Sequence, residues 1–283
     1  MINFSKARVA VVGDLIEDHW IYGRVDRLSP EGPWPVFVPE KTVKQPGGAA
    51  NVYQNMKALG ATPYLITSNR APSIKERYVA GRHQLFRVDR EDTSPIDAEE
   101  LDLIYRSVAN LPERPDVVVL SDYGKGVFGG PLAQRLIRWC NGAGIKTVVD
   151  PKGDWDRYRG ATIITPNAKE FDEANQEDFH PWSFMAANEL GALLITHGEK
   201  GMTLWDDTKA GSPPVHIPAT GPRVVDVVGA GDSVVAALAL GIGSEMSLDE
   251  AAKVASAVAG VVVGKPGTAV CTLAELEEAY ARH

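Results

Sequence analysis

Short apolar runs, rich in β-branched residues and closed by small or polar ones, recur along the chain. They lie at residues 9–12, 64–67, 117–121, 147–150, 162–165 and 193–196. Runs this short, apolar on both sides of the pleat, suit strands buried on both faces of a parallel sheet. Between many of them apolar positions recur every three or four residues, which predicts helices over 49–59, 98–110, 131–141 and 167–176. Strands alternating with helices define an α/β fold with a mainly parallel central sheet covered on both faces.

Two stretches keep a different rhythm. Residues 34–45 and 84–89 alternate apolar and polar side chains, the period of a strand with one face in water. They predict a small β lid outside the main sheet, with lid strands around 15–45 and 74–90. From Gly231 onward the chain turns helical and rich in Ala, Val and Gly, with later helices over 248–264 and 273–282. No repeat, low-complexity tract or Ser/Gly linker interrupts this order, so residues 1–283 read as a single domain with an inserted lid.

Composition narrows the classes. At 44% hydrophobic and 23% charged, 283 residues can bury a sizeable core. Thirty-seven acids against 29 bases leave a formal charge of −8, which disfavours a nucleic-acid binder but allows a local basic pocket. The longest apolar stretch, 234–242, is too short for a bilayer, and the N-terminus offers no signal-peptide core. Cys140 and Cys271 stand far apart, outside any CxxC or Cys/His cluster, so a reducing cytoplasm fits and a structural zinc site does not. The six histidines lack metal-ligand spacing.

The most informative segment is Gly229-Ala230-Gly231-Asp232. Small residues leave backbone N–H groups uncovered where a helix begins, so the turn can hold an anion, and Asp232 beside it could take a proton from an alcohol. Asp232 could equally be an N-terminal capping acid. In Gly47-Gly48-Ala49-Ala50-Asn51, paired glycines allow close approach of a ligand and Asn51 can donate to and accept from hydroxyls; a plain turn before a helix explains the same residues. Asn167 and Glu170 have capping-box spacing, and the same pair could orient water around Mg²⁺ near nucleotide phosphates. Lys75, Arg77, Arg82 and Arg87 make one interval basic, as a solvated strand pair or as a phosphate site. Gly124-Lys125-Gly126-Val127-Phe128-Gly129 matches G-x-G-x-x-G, with Asp150 at the distance of a ribose-binding acid, and keeps open a nucleotide-dependent oxidoreductase. A Walker A loop is absent.

Gly13-Asp14, Gly47-Gly48-Ala49-Ala50-Asn51, Thr165-Pro166-Asn167 with Glu170, Thr196-His197-Gly198 and Gly229-Ala230-Gly231-Asp232 together resemble the ribokinase-like, or PfkB-type, sugar kinases in order and spacing over nearly the whole chain. Within them, Asp18 to Gly23, Ser121-Asp122-Tyr123-Gly124-Lys125-Gly126, Asp150-Pro151-Lys152-Gly153 and Gly264 to Thr268 look most like the kinase domain of heptose-phosphate enzymes of lipopolysaccharide precursor synthesis. The resemblance implies a three-layer α/β/α sandwich and transfer of the ATP γ-phosphoryl group to the anomeric hydroxyl of D-glycero-β-D-manno-heptose 7-phosphate, with Mg²⁺ and K⁺ as cofactors. It makes the 124–129 glycines part of a sugar-side loop.

Carried over, the resemblance makes Asp232 the general base and Gly229, Ala230 and Gly231 the anion hole. Asp14, Gly47, Gly48 and Asn51 would hold sugar hydroxyls, with Asp122 and Lys125 nearby and Lys75, Arg77 and Arg87 toward the distal phosphate. Lys152, Asn167, Glu170, Thr196, Gly198 and Gly201 would serve the nucleotide, and Asp226 with the Val228 carbonyl a monovalent cation. A homodimer through the lid is the protein partner implied. Three departures stand out. The passage between Thr67 and Lys75 is short, as if most of a strand-helix-strand unit were lost. Val228 replaces the family's usual threonine. No nucleotidyltransferase domain follows Arg282-His283, so adenylylation would need another protein.

Overall fold

The apolar runs become strands and the periodic segments helices, in the order β1 (Val9–Gly13), β2 (Leu15–Leu28), β3 (Pro35–Gly48), α1 (Ala49–Ala58), β4 (Tyr64–Ile66), β5 (Ser73–Ala80), β6 (His83–Arg90), α2 (Ala98–Ala109), β7 (Val117–Ser121), α3 (Leu132–Ala143) and β8 (Lys146–Asp150). There follow β9 (Ile163–Ile164), α4 (Ala168–Ala174), α5 (Pro181–Ala187), β10 (Ala192–Thr196), β11 (Met202–Asp206), β12 (Val215–Ile217), α6 (Ala230–Gly243), α7 (Leu248–Val262) and α8 (Leu273–Tyr280). This is a computed structural model, and it describes residues 2–175, 180–209, 211–221 and 224–281. The helix ends predicted at Gln176 and Arg282 fall outside them.

The main sheet has the order β12-β11-β10-β9-β8-β7-β1-β4, parallel from β4 to β10 and antiparallel at β11 and β12. β1 and β7 are buried at every position because helices cover both faces. On one face the core is built with α1, α6 and α7; on the other it is built with α2, α3 and α5. α6 is apolar all round and buried from Asp232 to Gly241, as a helix enclosed on every side must be. Parallel strands place their C-terminal ends together, and ligands of open α/β sheets bind beyond those ends. Here they deliver Asp14, Asp122, Asp150 and Thr196 to one rim.

The second sheet, β3-β2-β5-β6, stands outside the first as the alternation predicted. β2 pairs antiparallel with β3 and parallel with β5, and β5 pairs antiparallel with β6. Residues 67–72 alone join β4 to β5, and β4 is the edge of the main sheet, which fits the short passage read from the sequence. The strand predicted over 162–165 shrinks to two residues, because Thr165 bonds sideways to Val149 and turns into Pro166. β11, β12 and α5 had no separate prediction. Among the described residues no helix is long and apolar enough to cross a membrane.

Candidate active site

The N-terminus of α6 is shaped by its glycines. Gly229 sits at φ 78°, in the left-handed region, and a Cβ there would lie 2.7 Å from Asn51 Nδ2. No side chain caps the helix, and its first turn closes with Ser233 N–H to Gly229 O at 3.0 Å. The N–H groups of Gly231 and Asp232 therefore precede the helical ladder and carry the positive end of the helix dipole. Nothing lies within 4 Å of where a Gly231 Cβ would be. The capping role considered for Asp232 does not hold. Its carboxylate turns away from the helix end to accept from Asn51 Nδ2 at 2.6 Å and from Tyr123 Oη at 2.5 Å.

Asp232 is 3% exposed. Burial pushes its pKa up to about 6, opposed by the Tyr123 and Asn51 hydrogen bonds; Asp18 adds to the rise and Lys75 counters it. A carboxylate that is ionised at neutral pH yet basic enough to take a proton has the character of a general base.

The sugar-side residues predicted from sequence converge here, with roles the spacing did not reveal. Asp14 is 1% exposed, and its Oδ2 accepts from the N–H of Tyr123 (2.8 Å) and Lys125 (3.1 Å) while Oδ1 accepts from Val127 (3.1 Å). Asp14 thus ties down the glycine loop after β7, using three of the roughly four acceptor positions of a carboxylate. Asp122 does related work: it accepts from Gly124 N–H at 2.7 Å and from Tyr158 Oη at 2.5 Å, and burial raises its pKa. Because Asp14 and Asp122 occupy these amides, the G-x-G-x-x-G loop offers no pyrophosphate cradle, and the oxidoreductase reading is set aside. Gly47 and Gly48 bring β3 against β2 and into α1: a Cβ on Gly47 would meet Asp18 Oδ2 at 2.6 Å, and one on Gly48 would meet Asp14 O at 2.5 Å. Asn51 follows one turn later, fully buried.

The lid register puts Asp18, Lys75 and Asp89 in one row and Trp20, Arg77 and Arg87 in the next, on one face. Arg77 is buried, pairs with Asp18 at 2.5 Å and lies over the Trp20 ring at 5.0 Å. Arg87 pairs with Asp89 at 2.8 Å, and Lys125 with Glu91 at 2.6 Å. Lys75 has no carboxylate within ion-pair distance among the described residues; its ammonium lies 5.5 Å over the Tyr123 ring, and burial lowers its pKa. Arg82 lies in the β5–β6 turn, beyond the strands that carry the other three. Sequence reasoning missed Tyr123, Trp20 and Tyr158 as site residues, and weighed Asp150 only as a ribose-binding acid. Tyr123 stood inside a quoted motif, and its place next to Asp122 at the end of β7 was the available signal.

On the other side of α6 a cleft of about 350 Å³ is lined by Thr196, Gly198, Gly201, Gly221, Val227, Gly231, Ala259 and Gly260. A smaller one of about 190 Å³, lined by Tyr123, Asp150, Lys152, Asn167, Glu170, Thr196 and Gly231, adjoins it through Thr196, Gly231 and Val234. Asn167 and Glu170 do form the predicted capping box, and Lys152 Nζ pairs with Glu170 at 2.9 Å. Asp150 is raised well above the ordinary carboxylate range by burial, then by Asp232 and Glu170. Asp226 accepts from Val228 N–H (3.0 Å) and Gly267 N–H (2.9 Å), tying the glycine turn to the 267 loop. There the buried Thr268 Oγ1 has no partner among the described residues.

The base, the open glycine turn and the adjoining cleft are what a phosphoryl transfer to an alcohol requires, and comparison with known proteins agrees. The chain is 41% identical to the bifunctional protein HldE of Caulobacter vibrioides over 312 residues, covering 96% of this chain and 63% of that protein. It is 36% identical to the bifunctional protein HldE of Vibrio cholerae, covering 98% and 64%. The chain thus spans a little under two thirds of these relatives. Among solved structures it resembles phosphofructokinase-2 from Escherichia coli in complex with potassium (TM-score 0.78, 18% identity, 98% of this chain and 99% of that one). It also resembles Arabidopsis thaliana ribokinase complexed with ribose and ATP (TM-score 0.71, 18% identity, 97% and 98%). A profile of the pfkB family carbohydrate kinases matches residues 64–275, and the chain belongs to that family of ATP-using phosphotransferases with a hydroxyl group as acceptor.

Proposed function

We propose that this chain transfers the γ-phosphoryl group of ATP to the anomeric hydroxyl of D-glycero-β-D-manno-heptose 7-phosphate. The observation that carries the reading is the placement of Asp232: buried, poised near neutrality, and in the first turn of a helix whose N-terminus no side chain caps among the described residues. Asp232 takes the proton of the acceptor hydroxyl, and the N–H groups of Gly231 and Asp232 stabilise charge on the phosphoryl group in transit, that of Ala230 being bonded to Val227 O. Asn51 and Tyr123 orient the base. Gly47, Gly48 and the loop organised by Asp14 and Asp122 shape the sugar pocket. Lys75, Arg77, Arg87 and Lys125 meet the distal phosphate, the last three exchanging internal carboxylate partners for it. That the relatives are HldE proteins supports the heptose choice over other sugars.

ATP would lie along the larger cleft, with Thr196, Gly198 and Gly201 beside the nucleoside and Lys152 near the phosphates. The oxygen-rich donor set of Asn167, Glu170 and the desolvated Asp150 fits a hard divalent cation such as Mg²⁺, reached through water. When bound, that ion neutralises phosphate charge. Asp226, the Val228 carbonyl and the unpartnered Thr268 hydroxyl fit K⁺. The outer face of the lid, where Tyr78 stacks on Phe86 and meets Phe37 edge-on, would join two copies; light scattering gives the mass.

A panel of heptose, hexose and pentose phosphates assayed for ATP consumption tests the assignment. Heptose 7-phosphate is expected to give the highest kcat/KM. Preference for a hexose phosphate would move the chain to another pfkB substrate, a reading favoured by one observation: the alignment with the Caulobacter relative is 312 long against 283 residues here, so at least 29 positions (312 less 283) lack a counterpart.

A further inference from the structure

Tyr123 touches both key carboxylates of the site. Its N–H donates to Asp14 Oδ2 at 2.8 Å and its hydroxyl to Asp232 Oδ1 at 2.5 Å. The residue is held on both sides: Asp122 N–H bonds to Asp150 O at 3.2 Å, and Lys125 N–H bonds to Asp14 at 3.1 Å. Above the ring lies the Lys75 ammonium. Asn51 holds the other oxygen of Asp232, so the two donors together leave the carboxylate no freedom to rotate.

We propose that Tyr123 is a positioning residue for the phosphoryl transfer, its hydroxyl fixing the Asp232 carboxylate and keeping it ionised inside a buried pocket. This rests on the reading of Asp232 as general base. A donor on a carboxylate favours the charged form, so losing it raises the pKa of the base. The charged groups facing Asp232 are Asp18 from β2, Lys75 from β5 and Asp150 from the end of β8. Asp18 disfavours its ionisation and Lys75 favours it, while the Asp232 charge in turn helps raise the pKa of Asp150. Tyr123 cannot replace the base: burial and the Asp232 charge hold its hydroxyl far above its ordinary pKa, so it stays a donor.

Tyr123→Phe keeps the ring and removes the hydroxyl. The test is kcat/KM for transfer from ATP to heptose 7-phosphate, between about pH 5 and pH 9, for wild type, Tyr123→Phe and Asp232→Asn, with thermal melting of each. In Tyr123→Phe the acid limb should move up by roughly half a unit or more, with turnover about three-fold or more down below the limb and recovering at high pH. 3-Fluorotyrosine at position 123, a stronger donor of nearly the same shape, should move the limb down. A limb that stays in place for both replacements, whether rates fall uniformly or not at all, overturns the role. Asp232→Asn separates the two claims. If it retains wild-type turnover, the base reading fails and takes this proposal with it. If it is inactive while neither Tyr123 replacement shifts the limb, the Tyr123 role alone fails.

Discussion

Two glycine-rich turns of this chain look alike in sequence and are used in opposite ways. After β7, the turn from Tyr123 to Gly129 presents amides that an internal carboxylate claims: Tyr123, Lys125 and Val127 all donate to Asp14. At the start of α6, Gly229 to Gly231 presents amides that no side chain caps, with a carboxylate close by but turned toward Asn51 and Tyr123. The first turn is a piece of scaffold that shapes a wall. On the proposed reading, the second is left open for a charge arriving from outside. Glycine spacing reports only that backbone is exposed; the groups that occupy the amides decide what the exposure is for.

That contrast can be broken from either side. Gly229→Ala places a Cβ against Asn51 Nδ2 and forces an L-residue to φ 78°, so it should lower kcat by roughly 10²–10³-fold. A loss below ten-fold in steady-state assays would mean the turn is not the anion hole. Asp14→Ala removes the acceptor of three backbone donors and should destabilise by about 3 kcal/mol or more, a fall in Tm of very roughly 6–12 °C by calorimetry. An unchanged Tm would deny the scaffold role.

Asp232→Asn should do the reverse to stability. An acid whose pKa rises on folding from 3.8 to about 6 weakens the fold as pH climbs through that window, and the full penalty persists above it. The variant should therefore be more stable than wild type at pH 7 by at most about 3 kcal/mol, and the advantage should vanish near pH 4. Urea titrations at both pH values check this. Gly124→Ala is the mildest case. It also sits at positive φ, 65°, but the nearest atom to its Cβ is Lys152 Cγ at 3.8 Å, so it should cost about 1 kcal/mol with kcat within a few-fold of wild type. A loss as large as that of Gly229→Ala would erase the distinction between the turns.

Much of this was legible in the chain. β1, β7, β8 and β10 are uninterrupted apolar runs, and burial on two faces leaves that mark directly. β5 was harder to bound, since Lys75, Glu76 and Arg77 disguise a lid strand, two of whose charges, Glu76 and Arg77, pair across the sheet with Arg90 and Asp18. α6 lost its helical periodicity because it is apolar on every side. In the site, the motifs located Asp14, Asn51, Asp122 and Asp232 but not what each touches. Asp14 and Tyr123 are 109 residues apart, and Asn51 and Asp232 are 181 apart. Such pairings arise from sheet order, and the preference of Asp232 for Tyr123 over its own helix end is written in no local pattern.

The central claim is that Asp232 removes the proton of the acceptor while the turn above it receives the phosphoryl group. Single-turnover transfer from ATP to heptose 7-phosphate, measured for wild type and Asp232→Asn alongside sugar-phosphate binding by calorimetry, addresses it most directly. The account predicts a fall in transfer of at least about 100-fold with binding retained within a few-fold. Undiminished transfer in Asp232→Asn would contradict it.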